Sequence, residues 1–323
     1  MREIQIGKNE ENQRLDKFIR KYMPKATLSF VYKMIRKKNI KVNGSKVEND
    51  YILKNGDILQ LYLKDETIEG FSEKKEIQNI DISFSVIYED HNILIVDKPY
   101  GLLVHEDRKE SKDTLNNQVL LYLYEKGDYD PMQEKTFVPA PVNRLDRNTS
   151  GIILIGKNYE SLQNLNMMIR DRDSIKKHYL ALVTGEVTKD HVLKGFLYKD
   201  QIRNKAKLVQ ENEAQGKPIH TIVKPIKSNH RFSLLDVEIV TGRTHQIRLH
   251  LSSLGHPIVG DVKYTEEKQK ISSSEILCLG RYFLHAYKIE FKKSTGNLQY
   301  LEGKTFLSPL PNDLEKAKNR AFR

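Results

Sequence analysis

The sequence predicts an α+β protein in two parts: a small, basic α+β unit in front, then a larger domain on a mixed, largely antiparallel β-sheet with flanking helices. Three observations carry this. Two amphipathic helical stretches followed by short strands fill residues 1–63. A polar stretch of opposite charge follows at 64–80. Beyond residue 82 the apolar residues gather in many short runs broken by turn residues, the pattern of strands with a few helices between them. A length of 323 residues suits two domains.

Over 12–22, Leu15, Phe18, Ile19 and Tyr22 fall on one helical face, opposite Arg14, Lys17, Arg20 and Lys21. Ser29 is placed to cap a second helix running to about Lys38, with Val31, Met34 and Ile35 inward and Lys33, Arg36 and Lys37 outward. Ile40-Lys41-Val42 runs into Asn43-Gly44, a hairpin-turn pair. Asn55-Gly56-Asp57 marks a turn before an alternating strand at 58–63. Residues 64–80, with 3 Lys against 5 Asp or Glu and few apolar residues, predict an exposed linker. Within the second domain, 81–311, strands are expected at 86–88, 93–96, 152–156, 179–184, 219–225, 232–240 and 284–292. Helices are expected at 112–126 and 159–171, with Leu162, Leu165, Met168 and Ile169 on one face of the latter. Residues 312–323 read as a basic tail, at most a frayed helix.

Composition narrows the function. The chain is 38% apolar and 30% charged, as in a soluble globular protein. No apolar run approaches the ~18 residues of a membrane span, and the charged opening residues lack the apolar core of a secretory leader. A single cysteine, Cys278, excludes an internal disulfide and favours a reducing compartment, so the cytoplasm is expected. Of the net +11, residues 1–63 hold +7, from 14 Lys or Arg against 7 Asp or Glu. Such a surplus in a small unit is either the footprint of a polyanion binder, most often of nucleic acid, or a solvated basic surface. Neither a dinucleotide-binding glycine fingerprint nor a phosphate-binding loop is present, so no nucleotide cofactor is expected. His245, His250 and His256 are spaced unlike a common metal site, so no metal is expected either.

Three segments concentrate polar residues beside apolar strands. In Asn143-Arg144-Leu145-Asp146-Arg147-Asn148-Thr149-Ser150-Gly151, one carboxylate sits between two arginines in a turn leading to a buried strand. In Lys177-His178-Tyr179-Leu180-Ala181-Leu182-Val183-Thr184-Gly185, Lys177, Tyr179, Ala181 and Val183 alternate onto one face. In Thr241-Gly242-Arg243-Thr244-His245-Gln246-Ile247-Arg248-Leu249-His250, a helical turn would aim Arg248 away from Ile247 and Leu249. Singly, each has a bland reading: Arg144 and Arg147 as a charge fringe, Asp146 as a turn cap, Tyr179 as core, Arg248 as a surface ion-pair partner.

As an ordered set they resemble the RluA class of pseudouridine synthases, whose pattern carries an Arg-Leu-Asp turn, a Lys-x-Tyr-x-Ala-x-Val-x-Gly strand and a Gly-Arg-Thr-His-Gln-Ile-Arg segment in this order. Asp97-Lys98-Pro99, Gly101-Leu102-Leu103-Val104-His105, Gly260-Asp261 and Leu284-His285-Ala286 extend the similarity over 82–295. Residues 12–63, with Arg14-Leu15-Asp16, Val42-Asn43-Gly44 and Gly56-Asp57, resemble the RNA-binding domain first known from the fourth ribosomal small-subunit protein. The class has His where this chain has Asn143, which leaves that position without an assigned role.

The resemblance implies that uridine in RNA, most of all large-subunit ribosomal RNA, is isomerised to pseudouridine. The base leaves C1′ of its ribose, turns and rejoins through carbon, with no metal, redox cofactor or nucleotide. It implies Asp146 as the catalytic carboxylate, held by Arg248. It implies that Tyr179 stacks on the freed uracil, that Leu284 lines the pocket beside Lys177, and that Arg144 fills the place vacated by the extruded base. The expected partner is RNA and the expected state a monomer. Rival readings are the same activity on tRNA, a non-catalytic RNA-binding or ribosome-assembly protein, and a glycosidic hydrolase, for which a second carboxylate is missing.

Overall fold

The computed structural model describes residues 1–73, 77–106, 112–200, 205–211, 216–265 and 277–323. The front part contains β1 (Arg2–Gln5), α1 (Leu15–Tyr22), α2 (Leu28–Arg36), β2 (Ile40–Val42), β3 (Ile58–Leu61) and α3 (Asp65–Phe71). Its three strands form an antiparallel sheet in the order β1-β3-β2. Phe18, Ile19, Val31, Ile35, Ile40 and Leu59 are at most 2% exposed and form one core. Asn43 and Gly44 both take positive φ, 50° and 76°, as an Asn-Gly turn requires.

Three expectations for this part are corrected. The first helix starts at Leu15 rather than 12, because Arg14 is held in extended form, bridged to Ile52. The second helix is capped by Thr27, whose hydroxyl accepts from the Phe30 amide at 3.2 Å, so Ser29 lies inside it. The stretch read as a linker, 64–80, begins with α3. Its acidic first turn suits a helix N-terminus, and Ile68, at 0% exposure, and the half-buried Phe71, packed on Phe30, anchor it in the front core.

The second part contains β4 (Ser85–Glu89), β5 (Ile93–Lys98), α4 (Leu115–Glu125), β6 (Ala140–Pro141), β7 (Ser150–Gly156), α5 (Tyr159–Arg170) and β8 (Ile175–Thr184). It continues with β9 (His191–Asp200), β10 (Lys205–Val209), β11 (Lys217–Ser228), β12 (Phe232–Ile239), α6 (Gln246–Ser253), β13 (Leu284–Phe291), β14 (Thr305–Leu307) and α7 (Asn312–Ala321). One sheet runs β10-β9-β11-β12-β8-β13-β7-β5-β4, with β14 on β13 and β6 on β7. Among the described ladders only β7–β13 is parallel, so the sheet is mixed and largely antiparallel. Its centre is covered on both faces. Along β7, Ile153 and Ile155 enter one core and Ile152 and Leu154 the other; β5 splits Leu94 and Val96 from Ile93 and Ile95 in the same way.

Gly151 sits where β7 meets β13. Its φ is +117°, and a Cβ there would lie 2.2 Å from the Ala286 carbonyl oxygen. Only glycine permits that approach, which sets the position of the Asp146 turn just before it. The residues read as a frayed basic tail form α7, with Leu314 and Ala317 fully buried in the larger core. Their apolar spacing is sparse but falls on one face, and that suffices when a core is waiting to receive it.

Candidate active site

The turn between β6 and β7 is built before it is charged. Asn143 pairs with β7 through its side chain: its Oδ1 accepts from the Leu154 amide at 2.8 Å and its Nδ2 donates to the Ile152 carbonyl at 3.1 Å. An amide, with donor and acceptor side by side, serves as one more rung of the ladder, which is what this position does here. The turn closes with the Thr149 amide donating to the Asp146 carbonyl at 3.0 Å. Beneath it lies Lys98, wholly buried, whose Nζ donates to the carbonyls of Pro99, Leu102 and Arg147 at 2.7, 2.8 and 3.2 Å. Burial brings that ammonium down to about 7, helped by Arg281 and opposed by Asp146 and Asp97.

Asp146 opens into a cleft of about 940 Å³. The other five residues singled out from sequence, Arg144, Lys177, Tyr179, Arg248 and Leu284, all line it. Tyr179 and Leu284, on adjacent strands, are 6% and 4% exposed and form apolar wall. Burial holds the Tyr179 phenol protonated, and the charge of Asp146 adds to that. Lys177 shares the inward face of β8, and burial lowers its pKa. Arg144 is exposed at the mouth.

Arg248 is placed differently from the expectation that it holds Asp146. Its Nε and Nη2 donate to the two oxygens of Asp261 at 2.7 and 2.8 Å, a bidentate pair. Only Nη1 turns toward Asp146, at 3.6 Å from Oδ2, beyond hydrogen-bond range but close enough for direct charge attraction. Burial works against the charge on Arg248, but the hydrogen bonds and charge of Asp261 outweigh it, so its pKa is raised. The guanidinium lies 4.4 Å from the Tyr282 ring centroid and 5.1 Å from that of Tyr264. Tyr282 also joins its hydroxyl to Thr149 Oγ1 at 3.0 Å, linking the arginine to the acid's own turn.

His245 completes the surround, with Nε2 at 3.8 Å from Asp146 Oδ2 and Nδ1 bonded to the Tyr264 hydroxyl at 2.8 Å. Its φ of 58° is what lets it stand at the start of α6 and face the cleft. The other two histidines weighed as ligands go elsewhere: His250 Nδ1 to Thr221 Oγ1 at 2.8 Å and His256 Nδ1 to the Thr184 carbonyl at 2.9 Å. Sequence reasoning gave no role to Tyr282, His245 or Asp261. The signal was there for Tyr282, two residues before Leu284, and for Asp261 in its Gly-Asp pair.

A family model described as RNA pseudouridylate synthase matches residues 92–253, spanning the Asp146 turn, β8 and α6. The chain belongs to that family. A second model, the S4 domain, matches residues 13–59 of this pseudouridine synthase. An uncharacterized RNA pseudouridine synthase of Mycoplasma capricolum is 33% identical over 305 residues, covering 94% of this chain and 95% of that one. Ribosomal large subunit pseudouridine synthase C of Vibrio parahaemolyticus is 29% identical over 319 residues, covering 97% of this chain and 94% of that one. Synthase D of Nitrosomonas europaea is also 29% identical, over 315 residues, covering 97% of this chain and 85% of that one. Human RNA Pseudouridylate Synthase Domain Containing 4 shares the fold, with a TM-score of 0.57 at 19% identity over 73% of this chain and 92% of that one. The enzyme is an RNA-binding isomerase, and no described helix is long and apolar enough to cross a membrane.

The synthase should lose stability on mild acidification. Burial pushes His245, His250 and His285 down to about 4 each. In the unfolded chain they titrate near ~6.5. Between those values the unfolded chain binds more protons, so stability falls as pH falls, by at most ~1.4 kcal/mol per pH unit for each histidine. The ion-paired Glu89 and Glu290, held at about 2, stabilise fully above the free-carboxylate range and lose that contribution only as pH falls from 4.5 toward 2, so they add little to the slope between pH 7 and 5. Urea unfolding at several pH values from 7 to 5 tests this. His285→Gln should flatten the slope by about a third; a slope unchanged by His285→Gln and by His250→Gln rejects the assignment.

Proposed function

We propose that this enzyme isomerises uridines of large-subunit (23S) ribosomal RNA to pseudouridine, with Asp146 as the catalytic carboxylate. The observation that carries it is Asp146 in the cleft, 3.6 Å from the Arg248 guanidinium, with the buried Tyr179 and Leu284 in the lining of the same cleft. The C1′–N1 bond of an extruded uridine breaks, the uracil turns against the Tyr179 ring and C1′–C5 forms; the proton lost from C5 is matched by one taken up at N1, so the product is an isomer of the substrate. Leu284 and the wall exclude water, which would otherwise capture the freed sugar. Arg144 at the mouth fills the space left in the RNA stack, its planar guanidinium resting on neighbouring bases. Lys177 supplies a cation on the inner wall for the RNA backbone.

The S4 part, 1–63 extended to 71 by α3, anchors RNA through the basic outer faces of α1 and α2. The catalytic part follows it. Large-subunit ribosomal RNA is favoured over tRNA by the names of the full-length relatives from Vibrio and Nitrosomonas. A non-catalytic role is disfavoured by the intact set of Asp146, Tyr179 and Arg248. A monomer that meets its ribosomal substrate in the cytoplasm completes the reading. Mapping pseudouridines across ribosomal RNA and tRNA tests the reading. Cells lacking the protein should miss specific 23S positions, restored by the wild type and not by Asp146→Asn; losses confined to tRNA reject the target.

A further inference from the structure

Tyr100 stands just outside the cleft and is 57% exposed, unusual for a tyrosine in so short and well-tied a turn. One ring face is occupied: the Arg281 guanidinium lies 4.6 Å from its centroid. Arg281 is itself immobilised. It donates to the two carboxylate oxygens of Asp313 at 2.7 and 3.0 Å, to Ser150 Oγ at 3.1 Å and toward the Asn148 carbonyl at 3.4 Å. The Tyr100 turn is tied to the same place from its other side. The Gly101 amide donates to the Arg147 carbonyl at 2.8 Å, and Arg147 Nε donates back to the Gly101 carbonyl at 3.0 Å. Apart from the pair with Asp313, which holds Arg281 from α7, each of these links ends on the turn that carries Asp146 or on the first residue of the strand after it.

We propose that Tyr100 is a stacking platform for a nucleobase flanking the extruded uridine. The inference rests on the reading that RNA enters over Asp146, and it adds a contact outside the cleft. A ring fixed on one face by a locked cation presents its other face already ordered, so a base can settle on it with little further loss of freedom. Arg147 and Arg144, both exposed on the same turn, supply positive charge beside it, which suits a nucleic acid rather than an apolar protein surface. Stacking accepts any base, so the platform positions RNA without reading its sequence.

The chain contains no tryptophan, which gives a direct test. Tyr100→Trp, made together with Asp146→Asn to prevent turnover, places a single indole at the platform. Unmodified transcripts of 23S ribosomal RNA and of tRNA are titrated in, with filter binding measured alongside. Emission should be quenched in step with occupancy by whichever transcript binds. In the otherwise native chain, Tyr100→Leu still covers Arg281 but offers no ring, and should raise KM about tenfold with kcat at saturating RNA unchanged. Tyr100→Phe should behave as wild type. Bound RNA with unchanged emission, or wild-type KM in Tyr100→Leu, overturns the platform and leaves the function standing. If neither transcript binds, the function reading falls and the platform with it.

Discussion

Asp146→Asn is expected to abolish isomerisation while leaving RNA binding intact. Asparagine is nearly isosteric, and the bond that shapes the turn uses the Asp146 backbone carbonyl, not its side chain. Asn143, Gly151 and Lys98 also hold the turn without calling on the carboxylate. The fold should therefore survive. The loss is that of an ionised oxygen pair able to act on the ribose, and removing such a group lowers kcat by on the order of 10⁴-fold or more. Binding should hold steady or tighten slightly, because one negative charge is taken from a surface that meets a polyanion. Single-turnover rates with saturating enzyme separate chemistry from binding. A variant that retains more than about a hundredth of the wild-type rate is incompatible with Asp146 at the reacting centre.

How much of this was legible in the sequence follows from what each signal records. β7 and β8 were evident because each has a face, or both, lined by apolar residues, and the Asp146 and Tyr179 positions came with them. β9 and β10 were missed. β9, next to the edge strand β10, alternates half-buried and exposed residues, and only Leu197 in it is fully buried, so charged side chains hide the period. α3 and α7 were read as linker and tail because each is anchored by one to three apolar residues, below what a periodicity can register. The caps were legible only to within two residues, since Thr27 and Ser29 are equally competent in isolation and tertiary packing chose between them. The site followed the same rule. Residues within the three segments were found, whereas the bond from Arg248 to Asp261 spans an intervening stretch whose path no local pattern predicts.

That bond sets the second large effect. Arg248→Met keeps much of the side-chain volume but strands Asp261, whose side chain is 1% exposed. Backbone amides of Lys263 and Tyr264 still reach the orphaned carboxylate, at 3.0 and 3.3 Å, yet they carry no full charge to balance it. Removing one partner of a buried pair typically costs about 3–5 kcal/mol, a large part of the ~5–15 kcal/mol that holds most domains together. The single variant should therefore melt early and express poorly, and its inactivity alone would say little about chemistry. The double variant Arg248→Met with Asp261→Leu removes both charges together, and most of the lost stability should return because neither ion is left unpaired. Turnover should not return. The guanidinium edge facing Asp146 at 3.6 Å is gone in both, and losing a fixed cation beside a reacting carboxylate costs on the order of 10²–10³ in kcat. Unfolding curves and single-turnover rates on the same two proteins separate the roles: stability that recovers without activity assigns Arg248 to both fold and chemistry, whereas activity that recovers with stability makes it a structural residue alone.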